Sequence, residues 1–225
     1  MVDFLQQKNM VINLGEQSSL LNQFIAELRD VNIQGDSLRF RRNLERIGEV
    51  FAYEISKTMP SGIEEVQTPL GVAKVKIPSP PPVIASILRA GLPLHEGLLN
   101  YFDRAENAFI SAARVYNPDG TFRIQFDNLS SPSVDKKHLI LVDPMLATGS
   151  SMVLALNALL ERGKPEHIHI VSVIASQDGL DYTVANTDPK NVTIWTGAID
   201  PVLSAKKYIV PGLGDAGDLA FGKKL

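Results

Sequence analysis

The sequence predicts an α/β protein with a central, mostly parallel sheet and helices on both faces. Three observations carry this. Val83 to Leu88 is an apolar run broken only by Ser86, the mark of a strand buried on both faces. Strand-like segments alternate with helical ones along the chain, as in parallel βαβ architectures. The 225 residues are 44% apolar, enough for one large domain with a sizeable core.

Taken in order, Leu20, Leu21, Phe24, Ile25 and Leu28 recur at helical spacing. Asp36 is a candidate N-cap for a longer helix, with Leu44, Ile47, Val50, Phe51 and Ile55 on its buried face and Pro60 as its stop. Val66 to Ile77 reads as a hairpin around Leu70-Gly71, and Pro78 to Pro82 as a loop. After the strand Val83 to Leu88, a short helix starts near Pro93 and a strand spans Ala108 to Ala113. Tyr116 to Asp135 is polar, yet Phe122, Ile124 and Phe126 alternate with polar residues. It is either an excursion hairpin or a lid over a site at the C-terminal strand ends. Leu139 to Val142, Ile168 to Ala175 and Val192 to Thr196 follow as strands, with helices over Gly149 to Arg162 and Asp178 to Asn186. This organisation predicts a single domain over 1–225. Its N-terminal helices span about 18–59, its core about 83–200 and a C-terminal loop about 208–218.

Composition narrows the chemistry. There is no cysteine, which excludes disulfide scaffolds, thiolate metal sites and cysteine nucleophiles. A net charge of −3 argues against a nucleic-acid or membrane partner. Met1 to Ile12 shows no secretory pattern and no apolar run reaches transmembrane length, so a soluble, cytoplasmic protein is expected. His95, His138, His167 and His169 fit no metal spacing and read as structural; Trp195 reads as core. Arg39, Arg41, Arg42 and Arg46 lie near Glu45 and Glu49, as expected of ion pairs on a solvated face or a subunit contact.

Two segments carry chemistry. Leu139 to Ser151, LILVDPMLATGSS, is an apolar strand ending at Asp143, then a turn with Thr148 and Gly149 before a helix. Gly149 admits a close backbone approach, the first-turn amides point at an anion, and hydroxyls of Thr148, Ser150 and Ser151 add donors. The alternative is a plain helix cap. A second segment, Tyr208 to Asp218, holds Pro211, Gly212, Gly214 and Gly217 and so presents a tightly turned, open backbone. The alternative there is a surface loop. No GxxxxGK[ST] is present, and no GxGxxG follows a first strand.

The first string resembles the phosphoribosyl pyrophosphate (PRPP) signature of type I phosphoribosyltransferases, and Asp-Pro-Met-Leu-Ala-Thr-Gly resembles that of the uracil phosphoribosyltransferases. In that branch the place of Ser150 is more usually glycine. Ile87-Leu88-Arg89-Ala90-Gly91 resembles the family's pyrophosphate loop; read alone, Arg89 is better taken as an arginine paired to a surface carboxylate. Arg114 resembles the second PRPP arginine, although Ala113 stands where an aromatic residue usually precedes it. Tyr-Ile-Val-Pro-Gly-Leu-Gly-Asp-Ala-Gly-Asp, from Tyr208 to Asp218, is similar to the uracil-binding loop. The likeness covers about Ser19 to Gly222.

The resemblance implies a type I phosphoribosyltransferase fold with a small hood lobe and a β-hairpin lid, making uridine monophosphate and pyrophosphate from uracil and PRPP in pyrimidine salvage. It implies that PRPP meets Arg89, Arg114, Asp215 and the run Asp143, Pro144, Met145, Leu146, Ala147, Thr148, Gly149, Ser150 and Ser151. Uracil would meet Ile209, Gly214, Asp215 and Ala216, largely through backbone groups. Asp143, Arg89 and Asp215 would be central to catalysis. Mg²⁺ would be held mainly by PRPP, with no direct protein ligands. GTP is a possible effector, and a homodimer or higher homo-oligomer is expected. Rival readings are transfer to another base, which the loop around Asp215 opposes, and a PRPP-sensing or RNA-binding regulator, which the charge of −3 opposes.

Overall fold

The computed structural model describes residues 10–116 and 122–224, the side chains of 112–116 and 122–127 excepted. The chain runs β1 (Val11–Asn13), a 3-10 turn (Leu14–Glu16), α1 (Leu20–Arg29), α2 (Ser37–Ser56), β2 (Ser61–Thr68), β3 (Gly71–Pro78), β4 (Val83–Leu88) and α3 (Leu92–Leu99). Then follow β5 (Glu106–Tyr116), β6 (Phe122–Ser130), β7 (His138–Val142), β8 (Met145–Leu146), α4 (Ser150–Leu160), β9 (His167–Ser176) and α5 (Gln177–Ala185). The chain closes with β10 (Val192–Asp200), β11 (Val202–Leu203), β12 (Ile209–Val210) and α6 (Ala216–Phe221).

The main sheet has strand order β1-β10-β9-β7-β4-β5-β6, and β8 adds to β9. Every pair in it is parallel except β5 with β6. Side chains alternate between its two faces, as the period of a strand requires. Ile84, Ile140, Val142, Val171, Val173 and Trp195 pack with α1, α2 and α3 on one face. Val83, Ala85, Leu139, Leu141, Ile170 and Ile194 pack with α4 and α5 on the other. Helices on both faces explain why the central strands carry so few polar residues.

Asp36 caps α2, its side chain accepting from the Arg39 N–H at 3.1 Å. The buried face of α2 holds Leu44, Ile47, Phe51 and Ile55, while Val50 packs at its margin. On α1, Leu20 is 68% exposed rather than buried, because it is the first helical residue and precedes the stripe Leu21, Ile25, Leu28. The basic residues of α2 do not pair as their spacing suggested. Only Arg42 meets Glu45, at 2.6 Å. Arg39 crosses to Glu27 of α1 at 2.7 Å, Arg46 donates to Asn43, and Arg41 donates to the Ala220 carbonyl of α6.

Six elements were not anticipated: β1, the 3-10 turn, β8, β11, β12 and α6. Each has at most six residues and owes its form to what it packs on, so none carries a periodic pattern of its own. The β2–β3 hairpin starts five residues earlier than its apolar pattern, at Ser61, and stands as a separate two-stranded sheet. Among the described residues no helix is long and apolar enough to cross a membrane.

Candidate active site

The chain order of the strands reverses between β4 and β7: β4 continues outward to β5, and β7 inward to β9 and β10. In an open α/β sheet the crevice at such a reversal, beyond the C-terminal strand ends, is the natural ligand position. Arg89 directly follows β4 and Asp143 directly follows β7, so the two lie on neighbouring strand tips. Both line a cleft of about 390 Å³, together with Met145, Leu146, Ala147, Thr148, Gly149, Ser151, Ile209 and Asp215.

The turn from β7 into α4 forms one wall. The Asp143 N–H bonds the Val171 carbonyl at 3.1 Å, which anchors the strand tip to β9. Its carboxylate accepts from the Met145 N–H at 3.2 Å. Gly149 stands at the N-cap of α4 with φ +77°, a left-handed conformation, and no side chain caps the helix there. The first-turn amides and the helix dipole therefore face the cleft end of α4, as an anion site requires. Thr148 Oγ1 and Ser150 Oγ lie 3.0 Å apart and hydrogen-bond each other.

Arg89 forms the opposite wall. Its guanidinium donates to the Gly222 carbonyl at 3.0 Å and stands 3.6 Å from Asp218. The pairing weighed from the sequence is thus present, but inside the cleft and with a residue that also lines it. Arg89 Nε is buried with no hydrogen-bond partner among the described residues. A buried charged donor of that kind costs free energy until an acceptor reaches it, which suits a phosphate oxygen.

The third wall is the C-terminal segment. Ile209 lies in the β11–β12 ribbon, paired with Leu203. Asp215 caps α6, accepting from the Asp218 N–H at 3.0 Å. Leu213, Ala216 and Ala220 are buried with Ile209 against the layer of α1 and α2, forming a lobe at the C-terminal edge of the sheet.

Not every expected residue reaches the cleft. The Pro144 carbonyl turns into the sheet, accepting from the Val173 and Ile174 N–H groups at 3.1 Å each, and Ser150, Gly214 and Ala216 do not line the cavity. Ala216 is fully buried as the first residue of α6, so a bulky side chain there would meet the core before it met a ligand. The side chain of Arg114, on β5, and residues 117–121 of the expected lid fall outside the described residues. Lys207, Tyr208, Asp218 and Lys224 line the cleft without having been singled out as site residues. Asp218 had a signal, an acid three residues after the capping Asp215; the lysines had none.

The histidines are elsewhere. His138 and His167 open β7 and β9 at the end of the sheet opposite the cleft, with His169 two residues further in. The indole N–H of Trp195 donates to His169 Nδ1 at 3.2 Å, and His169 Nε2 lies 3.3 Å from His138 Nδ1. Burial pushes all three below the ordinary histidine value, His169 down to about 3. Trp195 is core, 2% exposed. No group of three His, Asp or Glu residues is placed to hold a metal ion among the described residues.

Known proteins share both the sequence and the fold. The family model for uracil phosphoribosyltransferase matches residues 15–223. A uracil phosphoribosyltransferase of Porphyromonas gingivalis is 58% identical over 215 residues, covering 96% of this chain and 99% of that protein. The solved AQ2163 protein from Aquifex aeolicus superposes with a TM-score of 0.84 at 29% identity, over 95% of this chain and 98% of that one. The fold, though not the sequence, extends to the adenine phosphoribosyl transferase of Trypanosoma brucei, with a TM-score of 0.54 at 15% identity, over 95% of this chain and 90% of that one.

Proposed function

The chain belongs to the uracil phosphoribosyltransferase family, and from that membership we propose the roles that its cleft residues take. It transfers the 5-phosphoribosyl group of PRPP to uracil, giving uridine monophosphate and pyrophosphate. In that reaction a ring nitrogen of uracil forms a bond to C1 of the ribose as the bond from C1 to pyrophosphate breaks. Negative charge grows on the leaving group and cation character on the sugar.

The observation that carries the assignment is the meeting of Arg89, Asp143, the turn at Gly149 and the Ile209–Asp215 segment at one cleft. The amides from Ala147 to Ser151 hold the 5′-phosphate, and Arg89 grips pyrophosphate oxygens through its unpartnered Nε and its fork. Asp143 accepts from the ribose hydroxyls. Catalysis is positioning and charge stabilisation, with no covalent enzyme intermediate. Ile209 reads the base through its backbone groups and Asp215 faces PRPP; Gly214 and Ala216, which do not line the cleft, would join the readout only through a backbone turned toward it. Arg114 serves as the second PRPP arginine, and the β5–β6 hairpin covers the cleft as a lid.

Asp143, Asp215 and Asp218 offer hard oxygen atoms on the cleft wall, but they do not converge as a three-ligand cage. That donor set fits Mg²⁺ held mainly by PRPP and water. When bound, the ion would offset phosphate charge. The expected setting is the cytoplasm and the expected state a homo-oligomer, with GTP a possible effector.

The test is kcat/KM for uracil against cytosine at equal PRPP. Uracil presents a donor at N3 and an acceptor at position 4, and cytosine reverses both. Backbone groups have fixed polarity, so cytosine leaves buried groups facing like groups, each costing about 1–3 kcal/mol. Discrimination on the order of 10⁴ is expected. A ratio near one would refute this reading of the loop.

A further inference from the structure

Arg29 and Asp200 lie far apart in sequence, on the last residue of α1 and the last residue of β10. In the fold they form a two-pronged ion pair, Nη1 to Oδ2 at 2.8 Å and Nη2 to Oδ1 at 2.9 Å. The Asp200 side chain is 7% exposed and that of Arg29 22%. Each also holds one backbone group of Gly212: Asp200 Oδ2 accepts from its N–H at 3.0 Å, and Arg29 Nη1 donates to its carbonyl at 3.0 Å. Both polar groups of one peptide residue are thus fixed by one buried pair.

Gly212 stands where that matters. Its φ is +62°, and a Cβ built on it would lie 2.1 Å from the Ile209 carbonyl oxygen. The Gly212 backbone is therefore pressed against the carbonyl of the residue that lines the cleft beside Asp215. Any shift of Gly212 moves that carbonyl, and Gly214 two residues on.

We propose that the Arg29–Asp200 pair is a positioning device for base recognition: it fixes the backbone of the 209–216 loop in the register that reads uracil, and touches no substrate itself. This rests on the reading of that loop as the base site. The argument is one of polarity and rigidity. A backbone readout discriminates only if its N–H and C=O groups cannot rotate to suit another base. Pro211 fixes only its own φ and the glycines of the turn fix nothing, whereas a planar guanidinium locked on a buried carboxylate holds both polar groups of Gly212.

The pair's contribution to uracil is separated from its contribution to the fold by three measurements. Arg29→Met with Asp200→Leu removes both charges together and leaves no buried ion unpaired, although the N–H and carbonyl of Gly212 lose their partners. Arg29→Lys keeps the charge but loses the fork, and it carries the test alone if the double variant does not fold. Steady-state kinetics should give a KM for uracil raised about 10- to 100-fold in the double variant, with Arg29→Lys between it and wild type. The KM for PRPP should stay within about threefold of wild type, and the uracil-to-cytosine ratio should fall about tenfold. An unchanged KM for uracil overturns the proposal, as does an equal rise in both KM values, which marks a merely structural pair. A wild-type complex with uracil tests the underlying reading independently. Uracil seated away from 209–216 sinks the base-loop assignment; uracil seated there with unaltered variant kinetics sinks only the role of the pair.

Discussion

Replacing Gly149 by alanine should disable the phosphate turn, and the structure sets the size of the effect. The residue has φ +77°, where an L side chain costs about 1–2 kcal/mol. An added Cβ would stand 2.7 Å from Thr183 Oγ1, 2.8 Å from the Gly179 carbonyl oxygen and 2.9 Å from Tyr182 Cδ1. These atoms have little room to yield. Gly179 O is helix backbone, and Thr183 Oγ1 donates to it at 2.8 Å. Crowding of this kind adds about 1–3 kcal/mol. The stiffer unfolded chain of the alanine variant gives back about 0.4–1 kcal/mol. The net loss is about 3 kcal/mol, which for a domain of this size lowers Tm by about 6–12 °C unless the turn moves away from α5. A turn that moves by about 1 Å misplaces the amides and costs on the order of 100-fold in kcat/KM for PRPP. Thermal melts and PRPP saturation kinetics on the same preparation separate the two routes. A variant with wild-type Tm and wild-type PRPP kinetics would show that neither the backbone conformation nor the packing against α5 holds the turn in place.

Asp143→Asn keeps an acceptor for the Met145 N–H but removes the charge; it should weaken PRPP binding by about 1.5–3 kcal/mol with the fold intact, and wild-type affinity and rate would remove the role. Arg89→Ala should cost about 2–4 kcal/mol in kcat/KM, with Tm nearly unchanged because its contact with Asp218 is long and half-exposed; normal kinetics in Arg114→Ala would remove that residue from the PRPP site. The histidine cluster predicts acid sensitivity. Buried His169 titrates at about 3 and an unfolded histidine at about 6.5, so the unfolded chain binds the extra proton between those values. Its contribution is complete above pH 6.5 and falls as pH drops, by up to about 1.4 kcal/mol per pH unit; His169→Gln should flatten that slope in denaturant titrations between pH 6.5 and 5, and an unaltered slope would refute the linkage.

Much of this protein was legible before it was folded. The apolar runs at Val83 and Leu139 marked buried strands because a strand covered on both faces has no polar side to show. Asp36 and Gly149 were legible as the start of helices, since capping and left-handed turns restrict residue type locally. The turn at Gly149 and the C-terminal loop stood out for the same reason: a tightly turned backbone needs glycine and short polar side chains at fixed spacing. The weaker places were those where form is borrowed from neighbours. β1 is three residues long and exists because β10 offers it a parallel edge. The arginines of α2 follow the packing of α1 and α6 rather than their own helix spacing.

What tertiary structure alone decided is which residues meet across long stretches of chain. The sequence by itself determined the α/β class, the local chemistry of each turn and the identity of the family motifs, because these depend on residues within a few positions of each other. It contained no sign that Arg29 and Asp200, 171 residues apart, close on Gly212 together. Nor did it show that Arg89 would rest on Asp218 and Gly222, or that Pro144, inside the signature, would spend its carbonyl on β9 rather than on a ligand. Those partners are set by the strand order, which brings β4, β7 and the C-terminal segment to one edge. Long-range pairing of this kind leaves no periodic trace, since an arginine that anchors a loop and one that faces solvent are the same letter in the same local context.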